Sequence, residues 1–184
     1  MVDLMQAIRK PVLQGLRGGG SGVRLTAAEP AGRLVLRAAE VDVAALSKSL
    51  GVKLPVKPKT SAAAKGRLAF WIGPDEWLVI DEKGEGLMAA AAASETVHSA
   101  VDVSHRNTAI IVSGPQAAEV LNSACPQDLS LKVFPVGAVS RTVLGKIEVI
   151  VYRMDQDTFR VECWRSFAGY AFGLLAEAAE EAAA

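Results

Sequence analysis

The side chains able to carry chemistry are few and scattered. His98 and His105 are the two histidines, the residue type used most for general-base work and metal ligation. They stand seven residues apart with strand and turn between them, wider than the ligand pairs of zinc sites, which also need a third or fourth ligand. Cys125 and Cys163 make no C-x-x-C pair that could complete a set. No metal site is expected, and His105 is read as serving a turn hydrogen bond. A nucleophilic serine needs an adjacent base. Ser104 directly precedes His105, but neighbours in extended chain point to opposite faces. There is no G-x-S-x-G elbow, and Ser113-Gly114-Pro115 reads as an ordinary turn.

Paired carboxylates could exchange protons. Asp75 and Glu76 sit beside Trp77, and Asp102 lies between Val101 and Val103. A carboxylate flanked by valines is expected to be partly buried and to need a donor. Arg106 is its candidate partner, and the plainer role is to lock the next turn. Trp71 and Trp77 flank Gly-Pro-Asp-Glu, and Trp164 is followed by Arg165. Buried tryptophans fill cores, whereas tryptophan with arginine marks binding hot spots; both readings stand. Trp71, Asp75, Trp77, Asp102, Arg106, Trp164 and Arg165 are therefore candidate structural or interface residues. No catalytic, cofactor-binding or metal-binding residue is assigned.

Composition narrows the partners. The 184 residues carry 20 basic and 20 acidic side chains, with no net charge. Nucleic-acid binding needs a basic excess to displace phosphate counterions, so no nucleic-acid partner is expected. Hydrophobic residues reach 51%, and an apolar chain of zero net charge fits one that covers much of its surface with a partner. No apolar run approaches the roughly 18 residues of a membrane span, and MVDLMQAIRKPVLQGL offers no secretory core. The expectation is a cytoplasmic protein with reduced, buried cysteines.

The elements that must position these residues follow from pattern and punctuation. Residues 1–22 are read as a flexible N-terminal arm, because Pro11 and the glycines from Gly15 to Gly22 break a helix. Strands are predicted over 23–27, 33–38, 66–72 and 76–80, the last two as a hairpin around Gly73-Pro74-Asp75. A helix capped by Asp42 and ended by Gly51 follows the second strand, and an alanine-rich helix covers 84–94. The second half repeats the rhythm: strands over 97–103 and 108–113, a helix after Pro115, a hairpin over 138–152, and a strand over 159–163. A C-terminal helix capped by Ser166 closes the chain, with Phe167, Tyr170, Ala171, Leu174 and Leu175 inward. Strands and helices joined by hairpins predict an α+β fold. Two tandem ferredoxin-like split βαβ halves, about 23–96 and 97–184, form a single globular unit.

Several stretches carry a resemblance. WIGPDEWLVI at 71–80, VDVSHRNTAIIVSGPQAAEVLNSACPQDL at 101–129, FPVGAVSRTVLGKIEVIVYR at 134–153 and ECWRSFAGYAFGLL at 162–175 resemble the gamma subunit of heterotetrameric sarcosine oxidase. Order and spacing fit over about residues 22–176. The GPDEWL run is the more specific signal. The Asp102–Ser104 and Gly114–Leu121 pattern is also similar to the folate-binding aminomethyltransferases of the glycine cleavage system, which implies their folate-binding domain fold but carries over no folate-binding residue.

The resemblance implies a non-catalytic subunit with a structural or assembly role. Its complex would demethylate sarcosine to glycine with oxygen, giving hydrogen peroxide and passing the one-carbon unit to tetrahydrofolate. FAD, FMN and NAD would lie in larger alpha and beta subunits and zinc in a small delta subunit, with no cofactor in this chain. The alternative is an independent folate-binding or one-carbon-transfer protein.

Overall fold

The computed structural model describes residues 11–84 and 86–183. Eleven strands run in chain order among them: β1 Arg17–Gly20, β2 Val23–Ala27, β3 Gly32–Ala38, β4 Ser61–Ala64, β5 Arg67–Gly73, β6 Glu76–Asp81, β7 His98–Asp102, β8 Asn107–Ser113, β9 Val139–Leu144, β10 Ile147–Asp155 and β11 Thr158–Trp164. Four α-helices, α1 Val43–Leu50, α2 Leu87–Ala92, α3 Ala117–Asn122 and α4 Ala168–Glu181, and two short 3-10 turns complete the described elements. Every strand pairing is antiparallel. One sheet has the order β1-β2-β8-β11-β10-β9 and the other β4-β5-β6-β3-β7.

The sheets lie face to face with helices outside. Strand alternation shows why. On β6, Trp77 and Val79 join the core under α1 and α2, whereas Leu78 and Ile80 enter the layer between the sheets with Phe70, Ile72, Val103 and Val139. With both faces covered, the strand reads as a continuous apolar run. On β10, Val149 and Val151 face α3 and α4, and Ile150 and Tyr152 face the inter-sheet layer. The α+β class predicted from the sequence holds.

Several expectations are corrected. The arm predicted as flexible over 1–22 includes a strand: Arg17–Gly20 pairs with Val23–Thr26 as β1. Its first ten residues lie outside those described. The glycines serve close approach rather than mobility. A Cβ on Gly20 would sit 2.7 Å from the Ala179 carbonyl oxygen, and one on Gly18 would sit 3.3 Å from the Phe172 ring, so α4 lies directly on β1. The boundary near residue 96 does not divide the sheets. β2 joins β8 in the sheet built mainly from the second half, because Val23 and Leu25 bury against α3 and α4. β7 pairs with β3 in the other sheet.

Capping also differs. Asp42 and Ser166 each sit in a 3-10 turn, over Glu40–Asp42 and Arg165–Phe167, and neither makes a side-chain cap. A cap needs extended backbone, and Asp42 is already helical. Gly51 does end α1, at φ 64°, with its N–H on the Lys48 carbonyl. Ser61–Ala64, where the sequence pattern predicts no strand, pairs with β5. Phe167 and Tyr170 are exposed on the C-terminal segment rather than inward. Cys125 and Cys163 are buried free thiols, and no helix among the described residues is long and apolar enough to cross a membrane.

Candidate functional site

Between the sheets, strand alternation places charge where a core would be expected. Arg160 and Glu162 of β11 point away from the α3/α4 core that Phe159, Val161 and Cys163 fill. Arg33 of β3 reaches across from the other sheet. Its Nε donates to Glu162 Oε2 at 2.7 Å and its Nη2 to Oε1 at 3.1 Å. Arg160 Nε donates to the same Oε1 at 2.7 Å. All three side chains are buried, Glu162 at 1% exposure. Three guanidinium N–H groups thus fix the carboxylate, which is a clamp between sheets rather than an available base.

Two cavities flank this clamp. The larger, about 260 Å³, is lined by Val101, Val103, Arg106, Arg141, Glu162 and Trp164 among others. Arg141 is held there by Glu148 at 2.8 Å and Glu76 at 3.3 Å. The Glu148 hydrogen bond raises its already high pKa against the opposing effect of burial. The smaller, about 140 Å³, touches Arg33, Ser104, His105, Asn107 and Arg165. Cys163, on the wall of the larger cavity, has its thiol pushed up from 9.0 to about 12, mainly by burial and further by Glu162, with Arg33 opposing. A buried thiol of this kind is no nucleophile.

The mouth of the larger cavity is aromatic. β11 ends at Trp164, which lies opposite Asn107 of β8. The chain then turns so that Arg165 N–H donates to the Arg106 carbonyl at 2.7 Å. That turn stacks Phe167 on Trp164, with centroids 5.9 Å apart and planes 18° apart. Arg106 covers the Trp164 ring at 5.1 Å. Trp164 and Phe167 remain 42% and 41% exposed.

The seven candidate residues separate into distinct places. Trp77 is 1% exposed and its Nε1 donates to the Pro55 carbonyl at 2.7 Å, so it belongs to the core. Trp71 lies beside it across the hairpin and is half-buried. Asp75 is exposed and holds Arg37 at 2.9 Å. Asp102 is exposed rather than partly buried, because β7 is an edge strand; its Oδ1 accepts the Ser104 N–H at 2.8 Å and locks the turn. Arg106, its expected partner, turns instead to Trp164 and Asn107. Arg165 is exposed next to Trp164. The structure therefore brings Arg106, Trp164 and Arg165 together and leaves Trp71, Trp77 and Asp75 along the β5–β6 hairpin.

Sequence reasoning missed Arg33, Arg160 and Glu162, and also Arg153. Arg153 lies over Phe159 at 4.2 Å and donates to the Leu129 and Gln156 carbonyls. Burial lowers its pKa from the guanidinium norm. The available signal was alternation: Arg160 and Glu162 share one face of β11, a face that only the second sheet turns into an interior.

The description "Sarcosine oxidase, gamma subunit family" matches residues 37–181. The curated gamma subunit of sarcosine oxidase from Arthrobacter sp is 35% identical over 121 residues, 64% of this chain and 60% of that one. The match thus spans less than two thirds of the Arthrobacter subunit. The counterpart from Corynebacterium sp. (strain P-1) is 31% identical over 141 residues, 75% of this chain and 70% of its own length. A chain in the structure of heterotetrameric sarcosine oxidase from Corynebacterium sp. U-96, in complex with pyrrole 2-carboxylate, superposes with a TM-score of 0.85 at 29% identity, covering 90% of this chain and 89% of that chain. Aminomethyltransferase T of the glycine cleavage system from Bartonella henselae shares the fold at a TM-score of 0.62 and 13% identity, over 85% of this chain and 46% of its own. With its architecture and most of its length matched, the chain belongs to the sarcosine oxidase gamma subunit family.

Proposed function

We propose that the chain is a structural, non-catalytic subunit of a heterotetrameric sarcosine oxidase. In that assembly larger flavin-bearing alpha and beta subunits hold FAD, FMN and NAD, and a small delta subunit holds zinc. The complex demethylates sarcosine to glycine with oxygen, releasing hydrogen peroxide and methylenetetrahydrofolate. The observation that carries this reading is the near full-length superposition on a chain of a heterotetrameric sarcosine oxidase. The chemistry of the inter-sheet layer supports it: the buried carboxylate there is committed to two arginines. Of the candidate residues, Trp77 serves the core and Asp102 the turn after β7, while Asp75, Arg106, Trp164 and Arg165 lie exposed. Buried free thiols fit a reducing, cytoplasmic setting.

The test is co-expression with the candidate flavoprotein chains, followed by gel filtration with absorbance read near the flavin band. Elution of this chain with flavin-bearing chains is expected, and the isolated chain should be colourless and inert toward sarcosine. Elution alone, or flavin bound by the isolated chain, refutes the proposal. The rival reading, an independent folate-binding protein, rests on the Asp102-centred segment and a shared fold, and calorimetric titration of the isolated chain with tetrahydrofolate separates the two.

A further inference from the structure

An exposed sheet edge invites pairing, and chains that stay alone blunt it with lysine, proline, bulges or a covering element. Among the described residues, three of the four sheet edges are blunted. β1 is only four residues long and is kinked at Gly19, φ 125°. β4 is tied across to the other sheet, with Ser61 Oγ donating to the Gly137 carbonyl at 2.6 Å. β9 carries Arg141, ion-paired to Glu76 and Glu148. β7 is different. Among the described residues it pairs with β3 alone, with α2 packed on its face; its residues are His-Ser-Ala-Val-Asp with no lysine or proline, and its register with β3 has no bulge. Val97 before it is 87% exposed and Val101 within it 52%.

The open edge is continuous with the aromatic mouth, since Val101, Arg106 and Trp164 line one cavity of about 260 Å³. Arg106 adds a charge requirement. Among the described residues it makes no ion pair; its contacts are the Asn107 side chain at 3.3 Å and the Trp164 ring. A cation resting on a half-exposed indole, beside a stacked phenylalanine, matches the residue chemistry of binding hot spots.

We propose that the edge of β7 and the Arg106–Trp164–Phe167 stack form one docking surface for an extended segment of a larger partner subunit, which adds a strand to β7, places a carboxylate on Arg106 and seats an apolar side chain against Trp164. Backbone pairing supplies the register, and the ring and the cation select the segment. The inference rests on the subunit role proposed above and assigns that role to a particular face.

The test uses the reconstituted complex. Wild-type tagged chain, Trp164→Ala, Arg106→Glu and the control Val41→Ala, at a site 87% exposed on the helix side, are each assembled with the flavoprotein chains, and flavin retained per tagged chain is titrated. Trp164→Ala and Arg106→Glu should each weaken association roughly thirtyfold or more, the hot-spot range, with Val41→Ala unchanged. Amide exchange of the β7 N–H groups that point away from β3, compared between free chain and complex, gives a readout that no variant's folding can disturb; strong protection of those amides only in the complex is expected. A complex unaffected by either variant, with those amides exchanging equally in both states, overturns the surface while leaving the subunit role intact. Protection already present in the free chain, accompanied by a dimer on gel filtration, gives the face to a second copy and also overturns it. Wild type that fails to assemble at all sinks both proposals.

Discussion

Replacing Glu162 by glutamine tests whether the inter-sheet clamp holds the two sheets together. Glu162 accepts from Arg33 Nε at 2.7 Å, Arg33 Nη2 at 3.1 Å and Arg160 Nε at 2.7 Å. The arginines are 3% and 5% exposed, so water cannot replace what is lost. Glu162→Gln keeps the shape but removes the negative charge and turns one acceptor into a donor aimed at a guanidinium. Breaking a buried ion pair by removing one partner costs about 3–5 kcal/mol. For a chain of this size that lowers Tm by roughly 6–20 °C. Urea titration followed by tryptophan fluorescence, with buried Trp77 as reporter, measures the loss directly. Replacing Arg33, Arg160 and Glu162 together by Met, Met and Leu should recover most of it, because no charge then remains unpaired. A Glu162→Gln loss below about 1 kcal/mol, the range of exposed pairs, would refute the reasoning.

Other perturbations should behave as their surroundings dictate. Arg37→Ala breaks a pair whose partners are 59% and 52% exposed, and stability should change by no more than about 1 kcal/mol in the same titration. Gly114 has φ 129° and a Cβ there would lie 2.4 Å from the Gly22 carbonyl oxygen, so Gly114→Ala should cost roughly 2–3 kcal/mol. Gly173 lies within α4 with open space around it, so Gly173→Ala should gain about 0.5–1 kcal/mol, seen as a raised urea midpoint. Cys163 should resist a thiol reagent at pH 8 and react fully in urea. Since its folded pKa of about 12 exceeds 9.0, its contribution to stability is complete below pH 9 and lost as pH rises toward 12; a flat alkaline profile would contradict the shift.

Much of the fold is legible because its signals are local. The β5–β6 hairpin announces itself through Gly73-Pro74-Asp75 between two apolar runs, and Gly51 ends α1 through its own left-handed backbone. What escapes is set by pairing at a distance. Nothing local in Val23–Ala27 says that it joins β8 rather than β3, since its alternation would suit either sheet. Ser61–Ala64 lacks strand-forming residues and is extended because β5 offers it a partner. The glycines of β1 look like a linker until α4 is placed on them. Trp164 and Arg165 stand out by residue type, yet their partner Arg106 lies far away in sequence and is brought over by the β8–β11 register.

The clamp and the surface beside it are parts of one strand. Arg160, Glu162 and Trp164 alternate with Val161 and Cys163, so they line the same face of β11, from the buried ion cluster to the exposed ring. β3 does the same from the other sheet, with buried Arg33, then Val35, then exposed Arg37. The two faces meet where charge is deepest and part where aromatic surface is exposed. An apolar pair in place of Arg33 and Glu162 could hold the sheets together equally well, but without direction. A guanidinium that must reach a carboxylate across the layer fixes how far β3 and β11 may slide, and so fixes the gap between Val101 and Trp164. A charge cluster that confers little stability over an apolar core can be retained for that positional constraint.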